Sequence, residues 1–230
     1  TGNEITVDET GEYFVTVTDS NGCTGRDSVE FTVHPNPEPL IHGPESVCAF
    51  SEDVIFTINA YANHKYIWNV TGATSFDPKI DDSNLEVDWG GSGTGIVTII
   101  DSNEITGCVG YDTMYVTIAD ELLPEISSNS GELEFCEGDS LILDAGGGYD
   151  SYEWNTGAKS REIVVKSSGE YSVLVKDNYG CEGTDTVTVT DHPLPQPKIS
   201  GPQEICLSDD DFNYETAGIA DNSYTWSVVG

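Results

Sequence analysis

Basic residues are scarce in this 230-residue chain: eight Lys and Arg stand against 41 Asp and Glu, a formal net charge of −33 at pH 7. A surface of that sign repels nucleic-acid phosphates and anionic headgroups, which argues against nucleic-acid binding and direct membrane insertion. The single Met is not the first residue, no leader pattern is present, and no apolar run approaches the ~18 residues of a membrane-spanning helix. The six cysteines include no CxxC pair and no Cys/His cluster with zinc spacing. No stretch has a 3.6-residue apolar period, and there is no phosphate loop or dinucleotide fingerprint. His34 and His192 occupy equivalent positions, while His42 and His64 stand alone. Nothing pairs a nucleophile with a base at a recognisable spacing, so no enzyme is expected.

What the chain does have is itself, twice. Residues 4–72 lie on residues 162–230 without a gap at a constant offset of 158, with 29 of 69 pairs identical. Cys23 falls on Cys181, Cys48 on Cys206, Trp68 on Trp226, Gly43-Pro44 on Gly201-Pro202, and His34-Pro35 on His192-Pro193. A period this long exceeds the ~20–50 residues of a solenoid unit and matches two small domains. The expectation is a window onto a longer array, built for reach and display.

Three joints punctuate it: His34-Pro35-Asn36-Pro37-Glu38-Pro39, Ala119-Asp120-Glu121-Leu122-Leu123-Pro124, and His192-Pro193-Leu194-Pro195-Gln196-Pro197. Alternating Pro favours a stiff, extended segment. The joints divide the chain into 1–35 (the C-terminal part of one repeat), 36–121 and 122–192 (complete domains), and 193–230 (the N-terminal part of another). Within each, runs such as Tyr13–Thr18, Ile96–Ile100, Tyr171–Val175 and Thr186–Thr190 alternate with period two between Asn/Asp/Gly turns, as hairpin strands do. Short strands at regular spacing predict an all-β chain of tandem antiparallel β-sandwich domains in an elongated array. Dense strands and 10% aromatics also argue against reading the acidity as disorder.

The unlike domains share a code. Gly-Cys-x-Gly-x-Asp-[Ser/Thr] occurs at Gly22–Ser28, Gly107–Thr113 and Gly180–Thr186, placed between the last two strands. An early cysteine followed by acid recurs at Cys48, Cys136 and Cys206, and Tyr-x-Trp at Tyr66–Trp68, Tyr152–Trp154 and Tyr224–Trp226. One Trp per sandwich packs between the sheets. Trp89 has no counterpart in the next domain, which makes it the candidate for an exposed stacking aromatic, against core packing as the ordinary role. Tyr13 and Tyr171 follow Gly-Glu at the start of a strand, as a tyrosine-corner residue does.

Recurrent cysteines point to structural disulfides and an extracytoplasmic setting. One early and one late cysteine per domain predicts Cys48–Cys108 and Cys136–Cys181, leaving Cys23 and Cys206 to pair outside the chain. An immunoglobulin-like topology puts the first loop and the last hairpin at opposite ends, beyond the ~7 Å that a disulfide spans. The alternative joins neighbours, as Cys48–Cys181. Loop carboxylates at Glu52, Asp53, Asp81, Asp82, Asp209, Asp210 and Asp211 are candidates for calcium, which takes 6–8 oxygens, or simply a solvated face. No cofactor is required.

An early Cys, Tyr-x-Trp, a Gly-Glu-Tyr strand and a late Asp-x-x-Gly-Cys together resemble the PKD-type and immunoglobulin-like repeats of bacterial surface proteins exported by type IX secretion. The resemblance implies a stalk or filament segment of a large extracellular adhesin, at the cell surface or secreted. Its partners would be neighbouring repeats, surface glycans or other filament subunits. The rival roles are a carbohydrate- or glycoprotein-binding module, and a spacer in a secreted polysaccharide-degrading enzyme. The resemblance also implies O-glycosylation at Asp-[Ser/Thr] motifs, here Ser28, Thr113, Ser140 and Thr186, whereas a strand simply starting after a turn accounts for the same pairs.

Overall fold

The computed structural model describes residues 2–78, 83–204, 211–219 and 222–229. Among these there is no helix. Close packing divides the chain into two compact units: Thr1–Pro124 with Gly148–Glu153 and Leu174–Thr184, and Glu125–Gly147 with Trp154–Val173 and Asp185–Gly230.

The chain opens with a hairpin of β1 (Gly11–Thr18) and β2 (Thr24–Phe31), paired from Gly11 opposite Phe31 to Thr18 opposite Thr24. Seven strands follow: β3 (Ser46–Cys48), β4 (Val54–Thr57), β5 (His64–Thr71), β6 (Ala73–Pro78), β7 (Asn84–Trp89), β8 (Gly93–Asn103) and β9 (Val109–Ala119). They form a four-stranded sheet in the order β3-β9-β8-β5 and a three-stranded sheet in the order β4-β7-β6. The first strand β3 runs parallel to the last, β9, and every other ladder is antiparallel. Two sheets, with the first strand parallel to the last at one edge, are an immunoglobulin-like sandwich.

The next seven are β10 (Ser127–Ser128), β11 (Glu134–Cys136), β12 (Leu141–Asp144), β13 (Ser151–Trp154), β14 (Glu162–Val165), β15 (Gly169–Lys176) and β16 (Glu182–His192). Their sheets run β11-β16-β15-β13 and β10-β12-β14, again with the early β11 parallel to the last strand. A short ladder of β17 (Ile199–Ser200) and β18 (Glu215–Thr216) completes the described elements.

Period-two patterning sets the core. In β7, Leu85, Val87 and Trp89 point inward and are fully buried, while Glu86 and Asp88 alternate between them. They meet Phe56, Trp68, Val97 and Ile99 in one cluster. Trp89 is therefore core: it is 1% exposed and packs edge-to-face on Phe56 at 6.0 Å. Room for its indole comes from Gly95, where an added Cβ would stand 2.2 Å from the ring. Core packing, the ordinary role, is thus the one Trp89 takes, and the Leu-Glu-Val-Asp-Trp alternation was the sequence signal for it.

A carboxylate is sealed into this sandwich. Asp101 on β8 is 1% exposed and lies 2.6 Å from Nδ1 of His64, whose Nε2 faces Asn103 Nδ2 at 3.1 Å. A proton on Nδ1 satisfies all three groups. Beside it, the Tyr61 amide donates to the Tyr66 hydroxyl at 2.7 Å, and burial pushes the Tyr66 phenol upward. The same bond recurs at the repeat offset, where the Ile219 amide donates to the Tyr224 hydroxyl at 2.6 Å. The Gly-Pro pair also repeats its role. A Cβ on Gly43 would meet the Phe56 ring at 2.2 Å, and one on Gly201 the Tyr214 ring at 2.5 Å.

Candidate functional site

The recurrent Gly-Cys-x-Gly-x-Asp-[Ser/Thr] motif forms the site. Its first half is a turn. Asp19 Oδ1 accepts the amides of Asn21 and Cys23 at 2.9 and 2.8 Å, and Asp177 Oδ1 accepts those of Tyr179 and Cys181 at 2.9 Å each. These are Asx turns, and they bring Gly22 and Gly180 to φ of 86° and 87°, a left-handed conformation that Gly adopts without a Cβ penalty. The Cys23 amide holds the Asp19 carboxyl below the usual carboxylate range. In the middle copy the turn is one residue longer and Asn103 does the work, accepting the amides of Ile105 and Thr106 at 2.9 and 3.1 Å. Sequence reading passed over Asn103, because the insertion hides its alignment with Asp19.

The second half of the motif is strand, not loop. β2, β9 and β16 begin directly after, or one residue after, each cysteine, so the second Gly and the Asp sit on the ladder. In the second and third copies they hold the joint. A Cβ on Gly110 would lie 1.9 Å from the Pro37 carbonyl oxygen, and one on Gly183 would lie 2.3 Å from that of Leu122. Only Gly lets the linker backbone pass so close. Two residues on, Asp112 Oδ2 accepts the Ile41 amide at 2.8 Å and Asp185 Oδ2 accepts the Ile126 amide at 2.7 Å. The other oxygen of each carboxylate accepts the amide of its own Thr, Thr113 at 2.8 Å and Thr186 at 2.7 Å. A carboxylate bridging two backbone amides makes charge-assisted bonds, the stronger class. The motif is a clamp that docks the Pro-rich linker onto the last strand.

The cysteine of the motif is the staple. Cys181, 3% exposed, is bonded to Cys48 with Cα atoms 5.5 Å apart and 133 residues between them in sequence. Cys23, Cys108 and Cys136 carry free thiols. The expected Cys48–Cys108 and Cys136–Cys181 pairs are thus replaced by the alternative bond. The reason is strand length. Cys48 lies opposite Ala119 at the far end of β9, whereas Cys108 precedes β9 at its near end. The eleven residues of β9 separate the two by roughly 35 Å at ~3.3 Å per residue. Cys136, opposite His192, is separated from Cys181 by β16 in the same way.

The candidate calcium ligands divide. Asp81, Asp82, Asp209 and Asp210 lie outside the described residues, as does Cys206, and Asp211 is exposed. Asp53 sits among Glu52, Glu86 and Asp88. A hydrogen bond with Glu86 and the neighbouring negative charges push its carboxyl upward. Among the described residues no three His, Cys, Asp or Glu side chains are grouped to hold a metal. Of the candidate glycan acceptors, Ser28, Thr113, Ser140 and Thr186 are all exposed. The clamp accounts for the Asp before Thr113 and Thr186 without any modification. Tyr13 and Tyr171 donate their hydroxyls to the carbonyls of Glu9 and Ser167, four residues back, at 2.8 and 3.0 Å, which is the tyrosine-corner geometry.

No protein-family model matches the chain, and no curated protein matches it. Solved structures do. The fibronectin(III)-like modules of Clostridium thermocellum CbhA cover 67% of this chain and 95% of their own, at 11% identity and a TM-score of 0.35. The C-terminal 282-residue fragment of intimin, solved with the intimin-binding domain of its receptor Tir, covers 73% and 67%, at 14% identity and 0.43. SGBP-B of the Bacteroides ovatus mixed-linkage glucan utilization locus, solved with a mixed-linkage heptasaccharide, covers 68% of this chain and 48% of its own, at 14% identity and a TM-score of 0.26. The fold assignment rests on the strand order itself: the chain carries immunoglobulin-like β-sandwiches.

Proposed function

We propose that the chain is a spacer segment of a large extracellular bacterial adhesin or filament, exported by the type IX route that its repeats resemble, and that its chemistry is mechanical. The observation that carries this reading is the clamp. Two linkers are gripped by a Gly and an Asp of the last strand of the sandwich that follows, at Pro37/Gly110 with Ile41/Asp112 and again at Leu122/Gly183 with Ile126/Asp185. A gripped linker fixes spacing where a free one would let successive domains swivel. A disulfide fits an oxidising compartment and withdraws conformational freedom from the unfolded chain, typically by ~2–4 kcal/mol. The acidic surface discourages edge-to-edge association, and glycans on Ser28, Thr113, Ser140 and Thr186 would add to that shielding.

Stretching single chains tests the reading. With the disulfide intact, unfolding is expected to release no length from the residues between Cys48 and Cys181, and reductant is expected to restore it. Release of the full contour at low force without reductant would defeat a load-bearing role. One observation favours a second reading. Tyr111 and Tyr115, 70% and 67% exposed, share the outer face of β9 with Thr113 and offer two rings to a sugar. Saturable glycan binding that Tyr111→Ala and Tyr115→Ala abolish would establish a binding module instead.

A further inference from the structure

The free thiols of Cys108 and Cys136 occupy the two kinds of position that are bonded elsewhere in the chain. Cys108 stands in the motif where Cys181 stands, and Cys136 ends β11 as Cys48 ends β3. Three contacts orient them. In the bonded pair, Cys48 lies opposite Ala119, the last residue of β9, and the Ala49 amide donates to the Ala119 carbonyl at 3.0 Å. Cys136 lies opposite His192, the last residue of β16. Finally, Cys108 Sγ lies 3.7 Å from the carbonyl oxygen of His34, and His34 is the counterpart of His192 at the repeat offset of 158.

These contacts combine. A cysteine set beside His34 as Cys136 is set beside His192 would be one inter-strand spacing away, ~4.8 Å, and therefore against Cys108. That cysteine and Cys108 would then both adjoin His34, whose carbonyl already lies 3.7 Å from Cys108 Sγ. On the other half, Cys136 is exposed and borders a shallow depression of about 630 Å³ lined by Asn129, Phe135, Gly138 and Lys166, with room for a turn of another repeat.

We propose that Cys136 and Cys108 are the two halves of a second staple. The Cys136 of one 158-residue repeat bonds the Cys108 of the next copy, in alternation with the Cys48-to-Cys181 type. Every joint of the array then carries one disulfide, made by the early cysteine of one sandwich and the late cysteine of the sandwich after it. Cys23 is the late half of the type already seen. The partner is a further copy of this chain's own repeat. Each staple forms when two thiols lose two protons and two electrons to a disulfide oxidant, such as oxidised glutathione, which leaves as two thiols. This deepens the spacer reading, but its test reads only connectivity, so either can fail alone.

The experiment places a second copy of residues 4–161 in front of residues 4–230. The new junction, Arg161 to Glu4, reproduces the natural Arg161-Glu162. After refolding with oxidised glutathione, the protein is alkylated and digested without reduction. Three crosslinks are expected: front Cys136 with rear Cys108, front Cys48 with rear Cys23, and rear Cys48 with rear Cys181. Changing the rear Cys108→Ser should leave the rear Cys48–Cys181 bond in place and make the front Cys136 alkylatable. Alkylation of both the rear Cys108 and the front Cys136 in the unmutated protein, or a bond from the front Cys136 to any other cysteine, would overturn the proposal. Retention of the rear Cys48–Cys181 crosslink identifies protein that has folded.

Discussion

The hairpins β1–β2 and β15–β16 share about half of their aligned residues and the same turn, yet one is exposed and the other is core. Both close on an Asp that accepts two amides, both place Gly at a left-handed φ, and both anchor a Tyr hydroxyl four residues back. Val15 and Val17 are 55% and 64% exposed, whereas their counterparts Val173 and Val175 are 1% and 0% exposed. Cys23 is exposed and Cys181 is bonded. The turn is common to the two hairpins, and in both it is built from local hydrogen bonds. Burial and crosslinking require something else: the facing sheet, which buries Leu141, Leu143, Ile163 and Val165, and the cysteine of another sandwich.

The comparison can be broken at graded depth. The largest difference is expected at the cysteines. Cys181→Ser should destabilise the chain by about 2–5 kcal/mol in denaturant titrations, and Cys23→Ser should leave the midpoint in place. Next comes the core. Val173→Ala should cost about 2 kcal/mol through lost burial, while Val15→Ala should fall within about 0.5 kcal/mol. Equal effects at the two valines would mean that the β1–β2 face is covered in solution. The joint glycine should follow. Gly183→Ala, which forces a Cβ against the Leu122 carbonyl, should cost about 1–3 kcal/mol, whereas Gly25→Ala, with nothing within 4 Å, should be neutral or slightly stabilising.

The smallest effect is the acid titration of the turn. The Asp19 carboxyl is held below its ordinary value chiefly by the Cys23 amide. Its contribution is therefore complete above the ordinary carboxylate range and is lost as pH falls through the lowered folded value. The Cys23 amide resonance should titrate with a midpoint below that of a free Asp. A midpoint at or above it would remove the Asx turn from the account.

Several features were legible before any coordinates. Alternation in Leu85-Glu86-Val87-Asp88-Trp89 marks a buried face, and Gly-Glu-Tyr marks the corner, because both are consequences of strand pleat and local hydrogen bonding. Other features were hidden for physical reasons. The room for the Trp89 indole was not legible, because it is left by Gly95 on a different sheet. The Asp of Asp-[Ser/Thr] looked like a mark of modification, because its real partners, the Ile41 and Ile126 amides, are 71 and 59 residues away. Asn103 escaped notice because a one-residue insertion breaks the motif alignment, while the carboxamide oxygen still serves the turn.

Sequence by itself determined the repeat, the β-sandwich class, the Asx turns and the inward-facing residues, since each depends on contacts within a few residues or on period-two patterning. Tertiary structure alone decided which cysteines meet and what the motif grips. A disulfide depends on Cα atoms coming within about 7 Å. An eleven-residue strand carries the early and late cysteines of one sandwich to opposite poles, so the partner within reach belongs to another sandwich.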